Sequence, residues 1–354
     1  MNNLINKFSI SNQYIYKFGY IFYGISVFLI LCVMLLYINF KYFVSNKDFS
    51  NISINSQNKE DSFIELEDSF IELKEPSFNS IQQLKITAGK NNLSTKDLSN
   101  IFQKHAYLID SVRKMKQVPD ITIDKFPHDF NEINSTKVKK SLFIKSLLPL
   151  IIRENNKILD TRNRILKIQS SSVNYIKRSE ALWLKKQYVN YKVKNHNITD
   201  LLLRVDTVPV SIALAQAAIE SGWGTSRFVI EGNALFGQWS WNKGSGIVPI
   251  ERDVAETYEI KAFDSLSDSV ASYMKNLNTN NNYLDFRKFR NEFKSNGDTL
   301  DSLSLLKFLV KYAENENYSN ILEKIIVKNK LKDFDEVKIY IAPYEVATLN
   351  VTQQ

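Results

Sequence analysis

Glu220 is the residue of this sequence whose surroundings best suit acid chemistry. It follows a run of small apolar residues and precedes the string Ser-Gly-Trp-Gly, which contains Trp223. A carboxyl group in the last turn of a helix meets the partial negative charge of unpaired carbonyls, and this raises its pKa. If the indole of Trp223 also excludes water, the carboxyl stays protonated near neutral pH and can donate a proton to a leaving glycosidic oxygen. The alternative interpretation is a solvated glutamate that happens to follow an apolar helix.

The segment before Glu220 has the sequence signals of a buried helix. Asp206 or Thr207 can cap its N-terminus, Pro209 suits its first turn, and Gly222 can end it in the left-handed conformation. The residues between these signals are mostly small and apolar: Ile212, Ala213, Leu214, Ala215, Ala217, Ala218 and Ile219. Because small side chains let other backbones approach closely, we predict that this helix lies in the core.

The string AQAAIESGWGTSRFVIEGNALFGQW, residues 215–239, strongly resembles the glucosaminidases of glycoside hydrolase family 73, and among them the Bax-type bacterial proteins. The resemblance continues through GIVPIERDVAETYEIKAFDSLSDSVASYMKNLNTNNNY to YAENENYSNIL and covers about residues 137–330. It implies a mainly α (α+β) fold, in which a lysozyme-like helical domain carries a small β-hairpin lobe. It also implies hydrolysis next to N-acetylglucosamine in peptidoglycan.

The resemblance also assigns site residues. The family's catalytic acid falls on Glu220, and the tyrosine of its YATDPxY string falls on Tyr312, with Tyr318 as the second aromatic residue. We therefore expect Glu220 and Tyr312 to be catalytic. The family's GNNLFG string lines the cleft, and here Ala234 replaces its second Asn, which puts one substrate hydrogen bond in doubt. We expect substrate contacts from Trp223, Asn233, Phe236, Gln238, Trp239 and Tyr318.

A predicted hairpin contains the candidates for a second catalytic carboxylate. Its strands are residues 247–250 and 257–263. Alternation in the second strand places Glu259 on one face of the strand and Tyr258, Ile260 and Ala262 on the other. Glu259 is our first candidate for the residue that activates water in an inverting mechanism, and Glu251 and Glu256 in the connecting turn are alternatives. A third possibility needs no second carboxylate, because the 2-acetamido oxygen of the sugar can attack the anomeric carbon.

Composition and net charge limit the classes of molecule that this chain is expected to bind. The net charge of +8 favours acidic polymers such as nucleic acid, anionic lipid or cell-wall polymers. RNA-binding signatures are absent from the sequence, so we do not expect nucleic acid. Cys32 is the single cysteine and the three histidines are scattered, so we predict neither a metal nor another cofactor. Oligomeric state and protein partners are not indicated.

The N-terminal third predicts an anchor and a spacer. Residues 18–40 contain no charged residue and are long enough to cross a bilayer as a helix, and two lysines in residues 1–17 favour a cytoplasmic N-terminus. Residues 41–95, with the tandem copies DSFIELE and DSFIELK, are interpreted as a flexible linker. We therefore expect a single-pass protein of the bacterial inner membrane, with its catalytic part in the periplasm or cell wall.

The remaining chain is divided into three parts. Residues 96–197 form a predicted helical region that packs on the catalytic domain; its stretch 137–194 has 15 Lys or Arg against 3 acids. A helical stripe there contains apolar residues at intervals of three, four and seven, with a basic opposite face: Phe143, Leu147, Leu150, Ile151, Ile158 and Ile165. Residues 198–330 are the predicted glucosaminidase domain. Residues 331–354 are a predicted tail, with the alternation of an added strand or hairpin.

Two other functions fit the same residues. A lytic transglycosylase shares the lysozyme-like fold and its single catalytic Glu, but it forms an anhydro-muramic product without adding water. A non-catalytic wall-binding module would grip glycan in the same cleft. Product analysis separates the first from a hydrolase, and substitution of Glu220 separates the second.

Overall fold

A computed structural model describes residues 84–86, 93–170, 176–250, 252, 256–295, 301–313 and 315–340. The predicted anchor at 18–40 and almost all of the predicted linker lie outside these residues. Within the described residues, no helix combines the length and the apolar character needed to span a membrane.

The described chain is mostly helical, as predicted. Its α-helices are α1 (Thr95–Lys104), α2 (Ile109–Met115), α3 (Thr136–Ser170), α4 (Arg178–Asn190), α5 (Ile198–Arg204), α6 (Val210–Glu220), α7 (Arg227–Gly232), α8 (Leu266–Thr279), α9 (Leu284–Ser295), α10 (Ser302–Leu305) and α11 (Tyr318–Lys328). Single 3-10 turns lie at Phe130–Glu132, Asn281–Tyr283, Leu306–Phe308, Val310–Tyr312 and Leu331–Phe334.

The strands are short and form three small sheets. They are β1 (Leu84–Ile86), β2 (Gln117–Val118), β3 (Ile121–Ile123), β4 (Trp239–Ser240), β5 (Gly246–Ile247), β6 (Glu259–Lys261) and β7 (Lys338–Ile339). β1 pairs with β3 and β2 with β7, both in parallel. β6 lies between β4 and β5 in an antiparallel sheet, in which Ile260 faces Trp239 on one side and Ile247 on the other.

The small antiparallel sheet differs from the predicted hairpin in two ways. Both strands are shorter than 247–250 and 257–263, and β4 adds a third strand that the alternation did not predict. The sheet is closely packed at Gly246, where a Cβ atom would collide with the backbone carbonyl oxygen of Ile260. A glycine is therefore required at this position.

Helix α3 contains the predicted apolar stripe, and all six of its residues are buried. The predicted basic opposite face is interrupted, because residues 142–152 are buried on all sides. Lys145 is only 3% exposed, and its ammonium lies over the ring of Phe102 in α1. The helix thus passes through the core in this stretch, packed by α8, α6 and β3.

Helix α6 is the central element, as its composition predicts. Residues 210–218 are all buried, and α3, α11 and the 331–334 turn pack around them. The predicted caps are wrong: Pro209 is the N-cap, and the carboxylate of Asp335 accepts hydrogen bonds from both the N–H and the hydroxyl of Ser211, each at 2.8 Å. Asp206 instead lies in a buried cluster with Arg290 and Lys294.

The folded unit continues past residue 330. Leu331, Phe334 and Val337 are buried in the main core, and β7 follows them. The strand at Lys338–Ile339 is part of the added strand that the alternation predicts, and residues 341–354 lie outside the described part of the chain.

Candidate active site

Glu220 is the last residue of the buried helix α6 and is itself half-buried. The chain leaves the helix in the left-handed conformation, with φ of +58° at Gly222 and +59° at Trp223. The N–H of Trp223 donates to the carbonyl of Ala218 at 2.8 Å and closes the helix end. The predicted helix end at Gly222 is confirmed, and this turn fixes the direction in which Glu220 leaves the helix.

Four tyrosines surround the carboxyl group of Glu220, and we call them the tyrosine cluster: Tyr273, Tyr283, Tyr312 and Tyr318. The charge of Glu220 contributes to the raised pKa of each of them, after the larger effect of their burial. The Tyr318 hydroxyl donates to Oε1 of Glu220 at 2.7 Å. The cluster joins α8, α11 and two 3-10 turns around one acid.

Burial raises the pKa of Glu220, and the hydrogen bond from Tyr318 lowers it by less, so that the pKa stays above its ordinary value. The predicted direction of this shift is therefore confirmed. Trp223, the predicted agent, packs edge-on against the Phe143 ring at 5.4 Å and lies under the Lys140 ammonium at 4.5 Å.

The loop after α7 lies directly beside Glu220. Phe236 stacks on Tyr273 with ring centroids 3.9 Å apart, and its carbonyl accepts the Tyr312 hydroxyl at 3.0 Å. These contacts place Gly237 so that a Cβ on it would lie 3.5 Å from Oε2 of Glu220, with φ at +57°. Of the predicted site residues, Phe236, Tyr312 and Tyr318 are thus brought to the acid, with Phe236 and Tyr312 holding the loop in place.

Two other predicted substrate residues have internal hydrogen-bond partners. Asn233 is 2% exposed, and its amide donates to the carbonyl of Phe263 at 2.9 Å, so it joins the loop to the end of the small sheet. Gln238 donates to the carbonyl of Ser272 at 3.4 Å. Trp239 is different, since 54% of its surface is exposed.

Glu259 lies in β6 and is 5% exposed. Its carboxylate accepts backbone hydrogen bonds from Gly244 and Gly246, both at 2.9 Å. The bond from Gly244 has the largest effect in lowering the pKa of Glu259, which keeps this carboxyl ionised. Of the alternatives, Glu256 is exposed and Glu251 lies outside the described residues.

Several residues of the site are not identified by the sequence analysis. Gln216 is fully buried and links Tyr273 to Tyr318; its polar side chain in an apolar helix was the available signal. Trp241 and Tyr258 lie beside Trp239 on the small sheet. The spacing of two between the tryptophans, typical of one face of a strand, could have identified that pair.

The arrangement combines one carboxyl group with a raised pKa and another with a lowered pKa. Glu220 therefore keeps its proton to a higher pH than Glu259 does. Among the described residues, no group of three or more His, Cys, Asp or Glu is arranged to hold a metal ion.

Three comparisons relate this chain to known proteins. Residues 196–331 match the family model Glucosaminidase, described as mannosyl-glycoprotein endo-beta-N-acetylglucosaminidase. The chain is 29% identical to Protein bax of Escherichia coli strain K12 over 201 residues, which is 55% of this chain and 71% of that protein. It is also similar to the catalytic domain of the autolysin Auto from Listeria monocytogenes, at 17% identity and a TM-score of 0.29, over 49% of this chain and 97% of that one. The chain is therefore a glycoside hydrolase, and its residues 196–331 match the Glucosaminidase family model.

Proposed function

We propose that this glucosaminidase acts on peptidoglycan and cuts the glycosidic bond next to N-acetylglucosamine, with Glu220 as the general acid. The observation that carries this proposal is the half-buried carboxyl of Glu220, whose pKa is raised beside a partly exposed loop. A general acid must hold its proton at the pH of the reaction, and a raised pKa supplies that condition. The helical body with a small sheet beside the acid fits the lysozyme-like arrangement that the resemblance implies.

In the reaction we propose, Glu220 gives its proton to the leaving glycosidic oxygen, which takes the electron pair of the breaking C–O bond. Glu259, kept ionised by the backbone amides of Gly244 and Gly246, is the candidate base that removes a proton from water as the water attacks the anomeric carbon. This route inverts the anomeric configuration. An attack by the 2-acetamido oxygen would instead retain the configuration, so the product anomer separates the two routes.

Mass analysis of fragments released from purified peptidoglycan by the full-length chain tests this function. We expect fragments with N-acetylglucosamine reducing ends, because a hydrolase adds water across the bond. Anhydro-muramic ends would identify a lytic transglycosylase and contradict the proposal. Release of no fragments, with glycan binding retained, would support a wall-binding module.

For the location, we propose that residues 18–40 anchor the chain in the bacterial inner membrane and that the catalytic part lies in the periplasm or cell wall. The support is the charge-free run itself and the lysines that precede it. Fractionation of cells, followed by protease treatment of spheroplasts, tests this. The catalytic part should be digested from outside, and protection in spheroplasts would contradict the orientation.

A further inference from the structure

A chain of hydrogen bonds runs from the core to the acid of the proposed hydrolase. The Tyr273 hydroxyl donates to Oε1 of Gln216 at 2.7 Å, the Gln216 amide donates to the Tyr318 hydroxyl at 3.0 Å, and Tyr318 donates to Oε1 of Glu220 at 2.7 Å. Gln216 and Tyr273 are fully buried and Tyr318 is 2% exposed. These groups are therefore held by the protein rather than by water.

The donors and acceptors along this chain determine its direction. An amide nitrogen only donates, so the oxygen of Tyr318 must accept from Gln216. The single hydroxyl proton of Tyr318 is then directed to Glu220. Because hydrogen bonds in series polarise one another, the donation by Gln216 also strengthens the bond from Tyr318 to the acid.

One consequence concerns the two oxygens of Glu220. Oε1 accepts from Tyr318, so the acid proton is carried by Oε2, the oxygen that faces Gly237. We propose that the Tyr273–Gln216–Tyr318 chain fixes the catalytic proton on Oε2, and that Gln216 and Tyr273 are positioning residues of the hydrolase. This inference rests on the proposed function of Glu220.

The same chain acts after proton transfer. When Oε2 has given its proton to the leaving oxygen, Glu220 becomes a carboxylate, and the hydrogen bond from Tyr318 stabilises that charge. The groups that face this charge are the four members of the tyrosine cluster, from α8, α11 and the two 3-10 turns. Loss of Gln216 weakens the stabilisation and raises the pH at which the acid loses its proton.

The variants Gln216→Met and Tyr273→Phe test this in the full-length chain, with Ser211→Ala as a matched control at the opposite end of helix α6. We expect Gln216→Met to lower kcat on peptidoglycan about tenfold or more with little change in KM, since the acid is misplaced. The basic limb of the pH–rate profile should move to higher pH. Tyr273→Phe keeps the ring and should move the limb in the same direction by less, whereas Ser211→Ala should leave it in place.

An unchanged basic limb in Tyr273→Phe, or an equal shift in Ser211→Ala, would overturn the inference. Tyr273→Phe decides the matter if Gln216→Met does not fold. An inactive wild-type chain would instead refute the proposed function of Glu220, so the two failures are distinguishable.

A separate surface carries a second inference. Trp239 stacks on Tyr258 with ring centroids 4.5 Å apart and planes 17° apart. Trp241 stands across this pair, 6.0 Å from Trp239 at 77°. We call these three residues the aromatic corner. Trp239 is 54% and Trp241 67% exposed, so both indoles are open to solvent, with their planes 77° apart.

We infer that the aromatic corner binds a sugar ring of the glycan outside the bond that is cut. A pyranose ring presents C–H groups on its faces, which pack on indole surfaces in the way other apolar groups do. Trp239 is two residues from Gly237, and a Cβ on Gly237 would lie 3.5 Å from Oε2 of Glu220, so the chain connects the corner closely to the acid.

Sedimentation of the inactive Glu220→Gln chain with purified peptidoglycan tests the corner. Trp241→Ala should weaken binding about fivefold to tenfold, whereas Trp183→Ala, which removes an indole on α4, should not. Equal binding by Trp241→Ala and its parent would overturn the inference. The inference would also be overturned if Trp241→Ala lost binding to anionic lipid vesicles but kept its binding to peptidoglycan, since the corner would then be a membrane contact. The result does not depend on catalysis, so it is separate from the test of Glu220.

Discussion

At the scale of single residues, the protonation of Glu220 is decided by what surrounds its two oxygens. Burial among the tyrosine cluster disfavours the charged form, and one donated hydrogen bond from Tyr318 opposes this only in part. Glu259 has the reverse environment, with backbone amides on its carboxylate. The pKa of the same amino acid is therefore shifted in opposite directions at the two positions.

Glu220→Gln should change how stability depends on pH. The folded pKa of Glu220 is above its unfolded value, so the folded wild type binds more protons, and its stability falls as pH rises from about 4.3 through the folded pKa. Because Gln does not ionise, the Glu220→Gln variant does not lose stability in this way as the pH rises. Urea denaturation measures the free energy of unfolding of both proteins. The value for the variant minus that for wild type should be larger at pH 8 than at pH 4.

The exposed residue Glu256 offers a control for the loss of one negative charge. Glu256→Gln should show no comparable pH-dependent gain. A difference between Glu220→Gln and wild type that is equal at pH 4 and pH 8 would show that the carboxyl is not perturbed by the fold.

At the scale of elements, helix α6 holds the acid at one end and depends on a distant cap at the other. Ser211 is in its first turn, and the carboxylate of Asp335 accepts from both its N–H and its hydroxyl. The 331–334 turn packs along the same helix. This cap of the helix thus lies beyond the family match, which ends at residue 331.

Asp335→Ala should destabilise the protein by about 1–2 kcal/mol, the usual cost of losing a helix cap. Asp335→Asn keeps a carbonyl oxygen for the Ser211 N–H and should recover most of the loss. Urea denaturation of the three proteins at neutral pH measures this. Stability equal to wild type in Asp335→Ala would mean that the cap contributes nothing.

The sequence predicts those features of the elements that are local. Gly222 marks the helix end because a left-handed residue favours glycine, and the apolar spacing in α3 identifies its buried face. The cap of α6 could not be predicted, because Asp335 is 124 residues from Ser211. Lys145 falls on the polar face by spacing alone, but tertiary packing buries that face as well.

At the scale of the whole molecule, the site is assembled from separate parts of the chain. Tyr318 is 98 residues from Glu220, and Tyr273 is 57 residues from Gln216. Motif resemblance finds the acid because ESGWG is contiguous, but it does not show which tyrosine donates to it. The net charge of +8 is a property of the whole chain that favours acidic polymers as a class.

The most direct test compares wild-type and Glu220→Gln full-length chains for release of soluble fragments from purified peptidoglycan. Removal of a general acid costs about 10²-fold or more in rate, so the variant should release almost none. It should keep its fold by circular dichroism and still sediment with the glycan. Retention of more than about a tenth of the wild-type rate would contradict the assignment of Glu220 as the acid.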